Sequence, residues 1–224
     1  MAKELIPDVS LVDNAEERLP LVLVLDCSAS MEGEKIAELQ RGLEALKQDL
    51  NQDAKAARSV RILIVAFGGN DEVFVGAWQD VMDFVAPKKL KAHGKTPTGP
   101  AMMCALQEVE NEKVRLRQHG IAYKRPLIYL MSDGEPTDEW EHAAEQCRVA
   151  EESRKAAIFS IAVGDDANHD ILGEFSPRPP LQLQGLKFKE LFLWLSQSVK
   201  AVSRGVQGQA VQLPPTASWS NYTV

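Results

Sequence analysis

With 224 residues, a formal charge of −7 and three cysteines, the chain suits one medium-sized domain with a continuous core. The acidic balance argues against a nucleic-acid-binding protein, which carries a basic patch, and an odd cysteine count does not make a disulfide framework. No apolar run approaches the ~20 residues that cross a bilayer, and Met1-Ala2-Lys3-Glu4-Leu5-Ile6-Pro7 has neither the apolar stretch nor the cleavage site of a secretory signal, so the expected location is the cytoplasm.

Residues 1–17 carry no motif and read as an extension; the domain is expected over 18–204. The apolar run Leu21-Val22-Leu23-Val24-Leu25 makes residues 20 to 26 a buried strand, followed directly by Asp26-Cys27-Ser28-Ala29-Ser30-Met31. Ile36, Leu39, Leu43, Leu46 and Leu50 recur at steps of three and four, which predicts a helix with one apolar face. Val60 to Phe67 is a second strand. Gly68-Gly69-Asn70-Asp71 then turns the chain into Glu72-Val73-Phe74-Val75, a third strand expected to pair antiparallel at the sheet edge.

The loop Gly94-Lys95-Thr96-Pro97-Thr98-Gly99 leads into a helix bearing Met102, Ala105, Leu106 and Val109. A fourth strand ends at Asp133 in Ile128-Tyr129-Leu130-Met131-Ser132-Asp133-Gly134-Glu135. Asp138 and Glu141 have the spacing of a capping box for a helix running to about Lys155. Ala157 to Val163 is a fifth strand, Leu181-Gln182-Leu183 a short sixth, and Phe188, Leu191, Phe192, Leu195, Val199 and Val202 line one face of a last helix. From about Gly205 apolar periodicity stops. Residues 205–224 read as a flexible or docked tail, with Trp219 and Tyr222 as its aromatic residues.

Strands interleaved with helices imply a doubly wound α/β fold, mostly parallel, with helices on both faces. Ligands of such sheets sit beyond the carboxyl ends of the strands, where strand order reverses. In a six-stranded sheet of order 3-2-1-4-5-6, with the third strand antiparallel at the edge, the first and fourth strands flank that point and carry Asp26 and Asp133 to it. An extended chain sends residues i, i+2 and i+4 to one side. Asp26, Ser28 and Ser30 are therefore expected to converge while Cys27 and Ala29 face away. Hard oxygen donors around one point suit Mg²⁺ or a similar cation, whereas a phosphate cradle would want glycines and a lysine in this loop.

The three ordered segments, DxSxS at 26–30, TxTG at 96–99 and DGE at 133–135, resemble the von Willebrand factor type A domain with its metal-ion-dependent adhesion site. The resemblance implies a divalent cation, Mg²⁺ or else Mn²⁺ or Ca²⁺, surrounded by Asp26, Ser28, Ser30, Thr96 and Asp133. It also implies a protein partner that supplies an Asp or Glu to that cation, and so a non-catalytic interaction module. The segments Ser132-Asp133-Gly134-Glu135-Pro136-Thr137-Asp138 and Phe188 to Ser196 are similar to the bacterial TerY-like group of tellurite-resistance clusters. That likeness implies a scaffold or adaptor in a stress response, with kinase or phosphatase partners.

Two alternatives stand beside this one. Asp26 at a strand end suits a phosphoryl-accepting nucleophile of a metal-dependent hydrolase or phosphatase, but such enzymes of the haloacid dehalogenase type want a second Asp where this chain has Ser28. A structural subunit with an incidental metal site is the other. His93, His119, His142 and His169 are scattered, with only His93 near the Thr96 loop. Cys27, Cys104 and Cys147 read as small core residues. Trp140 reads either as a partner anchor at the mouth of the site or as a residue packed under the loop, and Phe67 to Asn70 as a border of the site.

Overall fold

The nine residues Leu19–Cys27 form strand β1, and all nine are buried. In the computed structural model, which describes residues 11, 14, 16–87, 90–206 and 211–220, β1 is the middle of a single sheet. In chain order follow a 3₁₀ turn (Ala29–Met31), α1 (Glu34–Asn51), α2 (Ala54–Ser59), β2 (Val60–Gly68), β3 (Glu72–Val75), β4 (Gln79–Asp80) and α3 (Thr98–Gln118). The second half holds β5 (Leu127–Ser132), α4 (Glu141–Glu152), β6 (Ala157–Ala162), α5 (His169–Glu174), β7 (Leu181–Gln182) and α6 (Phe188–Arg204).

The sheet runs β3-β2-β1-β5-β6-β7, with β4 also paired to β2. Strands β2, β1, β5, β6 and β7 are mutually parallel, while β3 and β4 return antiparallel along β2. This is the order expected from the sequence once β4 is inserted into the numbering. Order reverses between β1 and β5, whose register places Leu25 beside Met131. Asp26 and Ser132 are therefore neighbours at the carboxyl edge.

The alternation of β1 explains the two layers. Leu19, Leu21, Leu23 and Leu25 face a core built with Leu39, Leu43, Leu46 and Leu50 of α1 and the apolar face of α6. Val22 and Val24 face the opposite core, built with Met102, Ala105 and Val109 of α3 and Ala143, Ala144 and Cys147 of α4. Period two on the strand and period three to four on each helix thus meet across both faces.

At the amino ends of the strands lies a buried network of charge. Arg61, on β2, pairs with Glu112 of α3 at 2.6 Å and with Asp80 of β4 at 2.9 Å, and Arg18 stands 3.6 Å from Asp80. Arg61 and Glu112 are each 1% exposed. The network ties the chain leading into β1, the short strand β4 and helix α3 together at the end of the sheet remote from Asp26.

The expected tail is docked over 211–220. Trp219 is fully buried, its ring centroid 5.1 Å from that of Trp194 on α6. The Trp194 indole donates to the Pro214 carbonyl at 2.8 Å, and Ser220 bridges to Leu183 beside β7. Tyr222 and most of the first seventeen residues lie outside the described residues. Two expectations are corrected. Helix α4 stops at Glu152 rather than near Lys155, because Arg154 takes a left-handed φ of +56°. Asp138 does not cap α4: its Oδ2 accepts the Gly99 N–H at 2.9 Å, at the start of α3.

Candidate metal centre

Asp26 closes the apolar part of β1 and is fully buried. Both of its carboxylate oxygens are held: Oδ1 accepts the Ser28 N–H at 2.8 Å and Oδ2 accepts the Ser132 hydroxyl at 2.6 Å. Ser132 in turn accepts the Gly134 N–H at 3.1 Å, so one hydroxyl connects the ends of β1 and β5. Burial pushes the Asp26 carboxyl up to about 6; these hydrogen bonds pull it down, and the charge of Asp133 pushes it up further. Asp133 follows Ser132, which lies beside Asp26 across the β1–β5 ladder, so the two expected carboxylates stand at the same edge.

Extended alternation does not carry through to Ser30. Ser28 is still extended, with ψ 173°, but Ala29–Met31 wind into a 3₁₀ turn. The turn brings the hydroxyls together all the same, with Ser28 Oγ 2.9 Å from Ser30 Oγ. Ser28 is buried and Ser30 exposed, so the pair leads from the sheet edge to the surface. Cys27 faces the other way. It lines a cleft of about 320 Å³ with Phe67, Gly68, Gly69, Phe74 and His93, and its thiol is pushed up to about 12 by burial and by the charge of Asp26. His93, the histidine near the Thr96 loop, bonds through its main chain to Cys27 and Gly69, while its ring lines the cleft beside Cys27.

The Thr96 loop is fixed from several sides by its backbone. His93 N donates to the Cys27 carbonyl at 2.9 Å, Ala29 N to the Gly94 carbonyl at 3.1 Å and Lys95 N to the Gly69 carbonyl at 2.8 Å. Gly94 has φ +70°, and a Cβ there would lie 1.9 Å from the Gly69 carbonyl oxygen, so only glycine permits this approach. Thr96 is 6% exposed. Its N–H donates to the Thr137 hydroxyl at 2.9 Å, and its carbonyl accepts Thr137 N at 3.1 Å and Thr98 N at 2.9 Å.

Asp133, 8% exposed, begins the turn after β5. Gly134 supplies the left-handed φ of +76° that this turn needs. The Asp133 carbonyl accepts Asn168 N at 2.7 Å, and its carboxylate accepts Glu135 N at 3.4 Å. Trp140 is half-buried and packs on Phe175, centroids 5.8 Å apart, which is the packed rather than the anchoring disposition.

The sequence thus named residues that the fold carries to one edge of the sheet: Asp26 with Asp133, Ser28 with Ser30, and Thr96 tied to the loop that follows Asp133. It missed Ser132 and Thr137, whose roles rest on partners 106 and 41 residues away respectively. Among the described residues, no group of three His, Cys, Asp or Glu side chains is gathered for a metal ion. A cation at this edge would therefore draw on hydroxyls as well as carboxylates. The donor set suits one: all are hard oxygens, and two buried carboxylates that repel each other gain from an intervening positive charge.

Residues 21–187 match the family model of the von Willebrand factor type A domain. Among solved structures, the chain is similar to VWA2, an ArnB paralogue from Sulfolobus acidocaldarius, at 20% identity and TM-score 0.59, covering 82% of this chain and 46% of that one. It is similar to a manganese-loaded TRAP protein from Plasmodium vivax at 21% identity and TM-score 0.51, covering 73% and 64%. It is also similar to proximal thread matrix protein 1 of the mussel byssus with a zinc-occupied MIDAS motif, at 12% identity and TM-score 0.54, covering 84% and 49%. At these identities the likeness shows the fold, and the chain spans less than two thirds of each of these structures. Among the described residues no helix is long and apolar enough to cross a membrane.

Proposed function

The chain belongs to the von Willebrand factor type A family, and from that premise we propose that it is a non-catalytic, cation-dependent protein-interaction module. In this reading Asp26, Ser28, Ser30, Thr96 and Asp133 hold a divalent cation, Mg²⁺ or else Mn²⁺ or Ca²⁺, and a partner protein presents an Asp or Glu carboxylate to it. The observation that carries the reading is that strand register brings Asp26 and Asp133, with the Ser28–Ser30 hydroxyl pair, to the edge where β1 and β5 end, Ser30 being open to the surface. Two carboxylates at most balance a divalent ion, and Mg²⁺ seeks six oxygens. When bound, the cation would offer its remaining coordination to an incoming acidic group. The manganese-loaded and zinc-occupied relatives lend support by fold.

A non-catalytic role is favoured by what stands around Asp26. Its neighbour at i+2 is Ser28, and the described histidines are engaged or turned elsewhere: His119 contacts the Arg115 carbonyl and His169 contacts Gln182. The three cysteines are unpaired, two of them buried, which suits a reducing compartment. We place the module in the cytoplasm as a scaffold or adaptor of a bacterial stress or tellurite-resistance system, with a kinase or phosphatase as partner.

Calorimetric titration with MnCl₂ tests the cation, comparing the wild type with Asp133→Ala; heat from the wild type alone supports the reading, and no heat from either sinks it. Affinity capture in Mg²⁺ and in chelator then tests the partner. Proteins retained only by the wild type with cation support metal-bridged recognition, and retention regardless of cation or variant refutes it.

A further inference from the structure

Four of the five oxygen donors at the sheet edge stand on, or within four residues of, a central strand: Asp26, Ser28 and Ser30 after β1, and Asp133 after β5. Thr96 does not. It sits in the connection between β4 and α3, held toward β1 and β2 by the main chain of residues 93–95, and its approach to the loop after Asp133 is made by the contacts that join the two loops. Here that junction is a two-bond ring between Thr96 and Thr137. The Thr96 N–H donates to the Thr137 hydroxyl at 2.9 Å, and the Thr137 N–H donates to the Thr96 carbonyl at 3.1 Å. The next residue strengthens the junction, since Asp138 accepts the Gly99 N–H at the first turn of α3.

We infer that Thr137 is a positioning residue of the cation site, whose hydroxyl fixes Thr96 relative to Asp133. The inference rests on the proposal that these side chains hold a cation. Thr137 is exposed, so its side chain contributes little to the core, whereas the N–H it receives belongs to a buried residue. Its main-chain bond would survive any substitution but proline. Groups that orient a metal ligand typically set affinity by about 10-fold or more, because a donor that wanders must be ordered again on each binding event.

The test uses the whole chain and MnCl₂, with affinity read by calorimetry and fold by circular dichroism and by melting in chelator. Thr137→Val keeps the shape and removes the acceptor, and is expected to weaken Mn²⁺ binding by about 10-fold. Thr137→Ser restores the acceptor and is expected to bind within about 2-fold of the wild type, and Thr137→Ala serves as the deletion should valine aggregate. An unchanged affinity in the deletion variant overturns the inference while leaving the cation reading intact. So does a serine variant as weak as the deletion, since the hydroxyl would then not be the operative group. If the wild type binds no Mn²⁺, both fall together; Asp26→Ala, expected to abolish binding, separates a lost site from a loosened one.

Discussion

Replacing Asp26 with Asn should act with opposite sign on the cation-free and cation-bound protein. In the cation-free protein Asp26 is fully buried, and burial together with the charge of Asp133 raises its carboxyl from an ordinary 3.8 to about 6. A shift of that size corresponds to about 3 kcal/mol. The sign follows from linkage: stability owed to the protonated form is fully present below the unfolded value and is lost as pH rises through the folded one. At pH 7 the ionised carboxylate is thus a burden that Asn does not carry. Asn still has an oxygen to accept the Ser28 N–H, and its amide can donate to Ser132, which limits the loss of hydrogen bonding. Measured by calorimetric melting in chelator, Asp26→Asn should melt up to about 6–12 °C above the wild type, at about 2–4 °C per kcal/mol for a chain of this length. Lowering the pH from 7 to 5 should raise the wild type toward the variant. At a Mn²⁺ concentration about 100 times Kd the wild type should gain about 2.7 kcal/mol, while the variant gains little. A variant less stable than the wild type in chelator would refute the electrostatic argument, and an undiminished response to Mn²⁺ would refute Asp26 as a ligand.

Gly94→Ala should disturb the same edge by sterics alone. The added Cβ meets the Gly69 carbonyl at 1.9 Å in a left-handed backbone, so a loss of more than about 1 kcal/mol and weaker Mn²⁺ binding are expected in melting and titration. Glu112→Gln removes one partner charge of the buried Arg61, at 2.6 Å, while Asp80 at 2.9 Å remains, and should cost about 1–3 kcal/mol. Because that network is remote from Asp26, its Mn²⁺ affinity should match the wild type, and a change would show coupling along α3. Asp53→Ala removes the cap that accepts Lys55 N and Ala56 N at the start of α2 and should cost about 1 kcal/mol in denaturant titration. The Ala56 hydrogen bond and nearby cations hold that carboxyl below its usual range. Its contribution is therefore present above about pH 4 and lost as pH falls further, so wild type and variant should converge in acid.

What was legible in the chain was whatever local periodicity encodes. The leucines of β1 and α1 announce their faces by spacing, and the sheet order follows once five parallel strands and a hairpin are recognised. Strand β4 escaped because two residues, Gln79 and Asp80, show no period, and it is held by register with Arg61 and Ile62 of β2. The capping box at Asp138 failed for a related reason. The rule looks three residues ahead, whereas the N–H that Asp138 serves lies on Gly99, 39 residues behind it. Asp26, Ser28, Ser30, Thr96 and Asp133 were visible as motifs. The roles of Ser132 and Thr137 were not, because a hydroxyl within a motif has meaning only when the register of two strands or the approach of two loops is known.

The contact between Trp194 and Trp219 gives the protein a built-in optical probe. Two indoles with centroids 5.1 Å apart and planes inclined at 56° couple their electronic transitions, which produces a paired circular-dichroism signature absent from isolated tryptophans. One ring belongs to the last helix and the other to the segment that crosses it. The signature therefore reports whether that segment lies in place, without a label, and stopped-flow recording would time its release separately from the melting of the sheet.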